Sequence, residues 1–194
     1  MRIGGREMTE KKVLVILADG FEEVEALSPI DVLRRSGASV TVAGLKPERG
    51  NLVRGAHDVW VRCDSELLDI REDRFDAVVL PGGMPGALNL HKSEMVNSMV
   101  LDTCRRGDLV CAICASPAFV LAPLGILDGR KCTCYPGCEE KYSHLDFCGE
   151  RVVRDGNVIT SAGPGTALEF GLAISEALFG KEVSSAVKAG MLVK

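Results

Sequence analysis

The sequence has few aromatic residues and no excess of positive charge. Aromatic residues make up only 5% of its 194 residues, and 23 basic residues stand against 27 acidic ones, a formal net charge of -4 at pH 7. A nucleic-acid groove needs clustered basic side chains, usually with aromatic rings that stack on bases. We therefore expect no nucleic-acid partner.

Long apolar segments are also missing. No run approaches the ~20 residues needed to cross a bilayer, so no membrane partner is expected. Residues 1–10 lack the apolar core of a signal peptide, and we expect them to be a disordered leader before one domain at 11–194. These absences predict a cytoplasmic protein whose eight cysteines are reduced thiols.

The sequence does contain short apolar runs of the kind found in buried β-strands. Continuous apolar runs at 13–18, 75–83 and 107–116 are typical of strands covered on both faces of a parallel sheet. An alternating run at 58–64 fits a strand of a side sheet. Asp155-Gly156, between two alternating runs, predicts an antiparallel hairpin.

Helical patterns lie between these strands. Ser28 and Pro29 predict the start of a helix, with residues 22–27 as its possible kinked first turns. Further helices are predicted at 91–106 and 165–180. Alternating strands and helices predict a flavodoxin-like α/β fold: a doubly wound, mostly parallel sheet with helices on both faces and the added hairpin.

Ligands bind beyond the carboxyl ends of the strands in such sheets, where Cys114 ends an apolar strand and begins a helix. A thiol at a helix N-terminus meets free backbone N–H groups, so we expect its pKa to fall below ~8.5. A sharp turn there would lift the side chain out as in a nucleophile elbow. The alternative is an ordinary core cysteine, which explains Cys111 better.

Two further turns reach the same edge. Glu22, Glu23 and Glu25 follow the first strand; two of them are explained by the helix dipole, and a third could point inward to shuttle a proton with Cys114. The sequence does not choose among them. The glycine-rich turn at 80–86 could combine its amides with the one after Cys114 to form an oxyanion hole, or be a simple turn.

A cysteine-rich segment raises the question of zinc. Its spacing matches structural zinc sites poorly, and core or surface thiols are the simpler interpretation, so no metal is expected. The residues concerned are Cys132, Cys134, Cys138, His144 and Cys148.

Six segments, in order, resemble the DJ-1/ThiJ/PfpI superfamily, in particular the branch with the parkinsonism-associated protein and the bacterial ThiJ-like proteins. They are VLVILADGFEEVEA, DVLRRSGASVTVAGL, DAVVLPGG, AICASPA, TSAGPGT and GKEVSSAVKA. The resemblance runs from about residue 11 to the C-terminus. It implies a flavodoxin-like fold, a homodimer and no cofactor.

The resemblance also implies roles for individual residues. The family's oxidation-prone nucleophile falls on Cys114 and its partner carboxylate on Glu25. The backbone donors fall on Gly83 and Ala115. The segment 163–166 would lie near a subunit interface.

Two departures from the family pattern limit what is carried over. Tyr135 stands where this branch often has a histidine, so it becomes a possible third member of the site that donates a hydrogen bond rather than acting as a base. Peptidase-like relatives have histidine directly after the cysteine, where this chain has Ala115. A peptidase is therefore excluded.

Three functions remain open. The first is a glutathione-independent glyoxalase or deglycase, a lyase or hydrolase that acts on small dicarbonyls or glycated substrates through a Cys114 hemithioacetal. The second is a stress sensor or chaperone without turnover, in which Cys114 oxidises to a sulfinate held by Glu25. The third, thiamin-precursor metabolism, rests only on the name of ThiJ-like relatives.

Overall fold

The computed structural model describes residues 10–48 and 50–194, and the leader predicted for residues 1–10 lies outside them apart from residue 10. The described chain contains short and medium strands: β1 (Lys12–Leu17), β2 (Ser39–Gly44), β3 (Leu52–Arg54), β4 (Trp60–Arg62), β5 (Ser65–Glu66), β6 (Ala77–Leu80), β7 (Leu109–Ile113), β8 (Lys131–Cys132), β9 (Asp146–Phe147), β10 (Val152–Asp155) and β11 (Val158–Ser161).

A central seven-stranded sheet has the order β10-β11-β7-β6-β1-β2-β5. Its neighbours are parallel except β10 and β11, which form the antiparallel hairpin predicted at Asp155-Gly156. Strands β3 and β4 make a separate antiparallel pair, which confirms the predicted side sheet. Strands β8 and β9 form a small parallel pair.

Helices cover both faces of this sheet. They are α1 (Glu23–Arg35), α2 (Gly86–His91), α3 (Glu94–Arg105), α4 (Ala167–Phe179) and α5 (Lys181–Gly190), with a π-helical turn at Pro117–Leu121. None of the helices among the described residues has the length and apolar character needed to cross a membrane.

The core consists of two layers because successive strand residues point to opposite faces. Leu14 and Ile16 of β1 pack in one buried cluster with residues of α2 and α3. Val13 and Val15 pack in another with residues of α1 and α4. Both faces of the sheet are therefore buried under helices, as the continuous apolar runs predicted. The doubly wound α/β fold is confirmed.

Helix α1 begins within the segment 22–27, which was predicted as its possible kinked first turns, rather than at Ser28 and Pro29. It starts at Glu23, and Pro29 lies inside it. Contacts outside the helix hold these first turns: the Gly82 amide donates to Glu25 Oε2 at 2.9 Å, and Ala26 is fully buried. Burial of this first face outweighs the signal of a proline at a helix start.

The helix predicted at 91–106 is α3, which is slightly shorter, and α2 precedes it as an additional helix. Helix α2 ends at His91, and α3 begins at Glu94 after Ser93, whose side chain accepts from the Val96 amide at 3.3 Å. A serine N-cap satisfies an orphan N–H group and allows the chain to restart at a new angle.

The order of strands reverses beside β1. The chain passes from β1 to β2 on one side and then returns to place β6 on the other side. The turns after β1 and β6 meet there, since the Glu22 amide donates to the Gly82 carbonyl at 3.0 Å. This crevice is the topological switch point, where doubly wound folds bind ligands.

Candidate active site

Cys114 occupies a strained turn directly after β7. Its φ is 64°, in the left-handed region that costs an L-residue roughly 1–2 kcal/mol. Two hydrogen bonds hold it there: its amide donates to the Ser161 carbonyl at 2.8 Å, and its carbonyl accepts from the Tyr135 amide at 2.8 Å. Strain maintained by surrounding contacts is typical of functional positions.

The turn after β7 is also tied to the turn after β6. Ser116, which is fully buried, donates from Oγ to the Pro81 carbonyl at 2.5 Å. Since β6 and β7 are neighbours in register, this bond fixes the cysteine turn against the glycine-rich turn. The two turns therefore form one rigid edge of the site.

Glu25 points into the protein beneath the glycine-rich turn. Its side chain is fully buried, and Oε2 accepts from the Gly82 amide at 2.9 Å. Among the described residues its other oxygen, Oε1, has no hydrogen-bond partner in this geometry, although the Cys114 thiol lies close enough to affect its pKa.

The two groups share their protonation. Burial raises the pKa of Glu25 from 4.5 to about 7, against hydrogen bonds from Cys114 and Gly82, and the charge of Glu22 adds to the rise. A carboxyl with a pKa near neutrality can accept and return protons at physiological pH.

Burial also raises the pKa of the Cys114 thiol. The charge of Glu25 and the hydrogen bond to it raise this pKa further, and the amides of Gly83 and Ala115 lower it in part. The prediction of a lowered pKa was therefore wrong: it considered only the free amides and left out desolvation and the buried carboxylate. The coupled pair loses its first proton near pH 7.

The turn after β6 needs glycine at positions 82 and 83, where its backbone contacts Cys114, Glu25 and the turn after β1. A Cβ on Gly82 would lie 2.7 Å from Cys114 Cβ and 2.8 Å from Glu25 Oε2. Gly83 has φ 86° and packs against the backbone of residues 20–22. The amides of Gly83 and Ala115 consequently approach the sulfur, where they can stabilise a developing oxyanion.

Tyr135 reaches Cys114 through its backbone. The Tyr135 ring packs against Gly163: a Cβ built on Gly163 would lie 3.2 Å from Tyr135 Cδ2. Half of the surface of Tyr135 is exposed. A role for its hydroxyl as third member of the site stays a prediction.

His57, in the loop between β3 and β4, is paired with a glutamate of α1. His57 Nδ1 lies 2.9 Å from Glu23 Oε2, while Glu23 Oε1 accepts from the His57 amide at 2.7 Å. Thirty-four positions separate the two residues, so no local pattern could reveal the contact. The pair fastens the β3–β4 hairpin to the start of α1.

Glu22, Glu23 and His57 are the residues in the described part of the chain whose ligand atoms gather within 4.8 Å of one another and could hold a metal ion. The hydrogen bonds of Glu23 already account for this arrangement. In the same part of the chain, the thiols between Cys132 and Cys148 do not gather in this way.

An α/β sheet with a strained cysteine and a buried glutamate at its switch point defines the class of protein. Residues 11–177 match the DJ-1/PfpI family. The chain belongs to this family.

Similar proteins and similar structures support this family assignment. Parkinson disease protein 7 homolog of Danio rerio is 44% identical over 191 residues, 96% of this chain and 100% of that protein. Glutathione-independent glyoxalase DJR-1.2 of Caenorhabditis elegans is 35% identical over 184 residues, 92% of this chain and 94% of that protein. The crystal structure of Drosophila melanogaster DJ-1beta has a TM-score of 0.91 at 43% identity, and the match covers 96% of this chain and 100% of that one.

Proposed function

We propose that the protein is a cysteine-dependent enzyme that converts small dicarbonyls to hydroxy acids without glutathione, as a glyoxalase or deglycase. The observation that carries this proposal is the contact between Cys114 and a buried carboxyl whose pKa is about 7. The name of the Caenorhabditis elegans relative, a glutathione-independent glyoxalase, supports the same substrate class.

The reaction begins with attack of Cys114 Sγ on the aldehyde carbon of methylglyoxal. The S–C bond forms, the thiol proton passes to Glu25, and the carbonyl electron pair moves onto oxygen. The amides of Gly83 and Ala115 stabilise that oxyanion, which then takes the proton back from Glu25. The product of this step is a hemithioacetal.

Glu25 then moves a second proton. It removes the hydrogen of the former aldehyde carbon, giving an enediol, and returns a proton to the neighbouring carbon. The former aldehyde is thereby oxidised to a thioester and the ketone reduced to an alcohol, with no external oxidant. Water cleaves the thioester, releases lactate and restores the Cys114 thiol.

Direct measurement of lactate tests this proposal. We expect catalytic lactate formation from methylglyoxal by the wild-type protein and its loss in Cys114→Ala and Glu25→Gln. Cys104→Ala removes a half-buried thiol on α3 and is the matched control, because ordinary thiols consume methylglyoxal without turnover. Equal lactate from Cys114→Ala and wild type would overturn the proposal.

A second function, oxidation sensing, is favoured by one specific observation. Glu25 Oε1 is buried and has no hydrogen-bond partner among the described residues, so a protonated Glu25 could donate to an oxygen of a Cys114 sulfinate. Donation of this kind favours arrest of oxidation at the sulfinate. Mild peroxide should add two oxygen atoms to the Cys114 peptide; a peptide without them would remove this function.

We further propose a cytoplasmic homodimer. Four apolar side chains stay between 42% and 49% exposed on α1 and the β3–β4 hairpin, which the Glu23–His57 contact joins: Val24, Leu27, Val59 and Trp60. Clustered exposed apolar side chains are typical of protein interfaces.

A further inference from the structure

The Tyr135 side chain has no part in the reaction steps assigned to Cys114 and Glu25, yet it lies beside them. Half of its surface is exposed, and its amide donates to the Cys114 carbonyl at 2.8 Å. Ligand sites are lined largely by apolar and aromatic side chains. An aromatic ring held this close to a nucleophile is therefore available to contact substrate.

The order of strands shows on which side of the cysteine this ring lies. Strand β7, which ends directly before Cys114, lies between β11 and β6. The glycine-rich turn and the buried carboxyl meet on the β6 side. On the β11 side the Cys114 amide donates to the Ser161 carbonyl, and the Tyr135 ring packs against Gly163, two residues further along. The ring therefore forms a wall of the site on the side opposite the glycine-rich turn.

Fixed backbone supports the ring. A Cβ built on Gly163 would lie 3.2 Å from Cδ2 and 3.7 Å from Cε2 of Tyr135, so the ring occupies the space that a side chain at 163 would need. Thr166 holds that glycine in place: its Oγ1 accepts from the Gly163 amide at 3.2 Å, and its amide donates to the Gly163 carbonyl at 2.9 Å. The Tyr135 carbonyl in turn accepts from the Cys138 amide at 3.0 Å. A ring positioned in advance binds a ligand with little further loss of entropy.

The two segments that form this wall contain no charged residue. Residues 133–137 read TCYPG and residues 161–166 read SAGPGT, without Asp, Glu, Lys, Arg or His. The acidic side chains of Glu22 and Glu23 lie instead at the start of α1, beside the glycine-rich turn. A wall without charge gives no advantage to a cationic or anionic substituent, so the substituent it favours is neutral and apolar.

We propose that Tyr135 is a specificity-determining residue whose ring binds the aromatic substituent of an aryl 2-oxoaldehyde, so that the protein prefers such substrates to methylglyoxal. This inference rests on the proposed function and names the substrate class of the same site. The aldehyde oxygen faces the amides of Gly83 and Ala115, so the ketone substituent extends toward the β11 side. An aromatic pair formed there strengthens binding about tenfold.

Phenylglyoxal is the probe of this substrate class. Cys114 Sγ bonds to its aldehyde carbon, and the hydrogen of that carbon moves by way of Glu25 to the ketone carbon. Water then cleaves the thioester. One phenylglyoxal and one water give one mandelate, with the thiol restored and no external oxidant or reductant.

Turnover of two substrates tests the ring: kcat/KM is measured for mandelate from phenylglyoxal and for lactate from methylglyoxal. We expect Tyr135→Ala to lower the first about tenfold and to change the second less than about twofold. Tyr135→Phe should keep both values, because the ring rather than the hydroxyl makes the contact. The matched control Leu68→Ala, which removes a side chain 45% exposed just after β5, should also keep both. Equal losses for both substrates in Tyr135→Ala, or no loss for either, would overturn the inference.

Alkylation of Cys114 tests the same ring without turnover. The reagents are N-phenyl iodoacetamide and iodoacetamide, and each rate is divided by the rate with free glutathione. Mass spectrometry of the tryptic peptide 107–130, with fragmentation, assigns the product to Cys114 rather than to the buried Cys111. We expect wild type and Tyr135→Phe to prefer the phenyl reagent about tenfold and Tyr135→Ala to lose this preference.

This second measurement separates the inference from the proposed reaction. A preference that is lost in Tyr135→Ala, with neither lactate nor mandelate formed by the wild type, would support the aromatic subsite and remove only the reaction. The same alkylation preference in wild type and in Tyr135→Ala would overturn the inference, whatever the turnover.

Discussion

Replacing the buried Glu25 carboxyl by its neutral amide, Glu25→Gln, should stabilise the protein above pH 7 and change its stability little below pH 4.5. Burial raises the pKa of Glu25 from 4.5 to about 7. The folded wild type therefore binds a proton more tightly than the unfolded chain does. That contribution is complete below pH 4.5 and is lost as the pH rises through 7.

The magnitude follows from the same two pKa values. At about 1.4 kcal/mol per pKa unit, ionisation of Glu25 in the folded state costs about 3 kcal/mol relative to ionisation in the unfolded chain. Transfer of the charge to Cys114 does not alter this result, because the pair as a whole loses its first proton near pH 7. Glu25→Gln lacks the cost altogether.

Urea unfolding between pH 4.5 and 8.5 measures the difference. The free energy of unfolding of Glu25→Gln minus that of wild type should grow by about 3 kcal/mol across this range. Glu23→Gln is the control: although burial acts against it, hydrogen bonds from His57 and Val59 lower the pKa of Glu23 below 4.5, so its own titration lies outside this pH range and the variant should not show the increase of about 3 kcal/mol. Parallel curves for Glu25→Gln and wild type would refute the reasoning.

Three further outcomes are expected. Gly82→Ala places a Cβ 2.7 Å from Cys114 Cβ, and displacement of the thiol should lower lactate formation about 100-fold; unchanged turnover would contradict this geometry. Cys114→Gly should be about 1 kcal/mol more stable to urea than Cys114→Ala, because φ at this position is 64° and glycine adopts it without strain; equal midpoints would argue against strain. In sedimentation, Val24→Asp or Trp60→Glu should give monomers and the control Leu68→Asp, outside that patch, should not; three identical profiles would exclude the patch as the interface.

Local patterns were sufficient for the central sheet. The apolar runs of β1, β6 and β7 predict buried parallel strands, and the end of β7 predicts the turn that holds the half-buried Cys114. The inward glutamate was left open among three until the family resemblance selected Glu25. Its burial under Gly82 depends on how β6 and α1 meet, which spacing along the chain does not encode.

Local patterns did not predict features that depend on contacts between distant segments of the chain. Pro29 has the signature of a helix start, yet contacts with the turn after β6 extend α1 upstream to Glu23. The partnership of His57 with Glu23 joins a loop to a helix across 34 positions. The pKa of Cys114 depends on desolvation and on a buried carboxylate, both of which arise only in the folded chain.

Main-chain atoms form the two hydrogen bonds that hold Cys114 itself, with consequences for divergence and engineering. The contacts to Cys114 come from the Ser161 carbonyl and the Tyr135 amide, groups that almost any amino acid supplies. The side chain at position 135 can therefore vary while the turn keeps its shape. Ser161 cannot, because it is fully buried and its Oγ lies 3.0 Å from the Arg151 carbonyl and 2.6 Å from Thr166 Oγ1, which its loss would leave unpaired. The intolerant changes are a proline at position 135, which removes the N–H group, and any side chain at Gly82. Libraries that alter substrate preference should therefore vary position 135 and leave Ser161 and Gly82 unchanged.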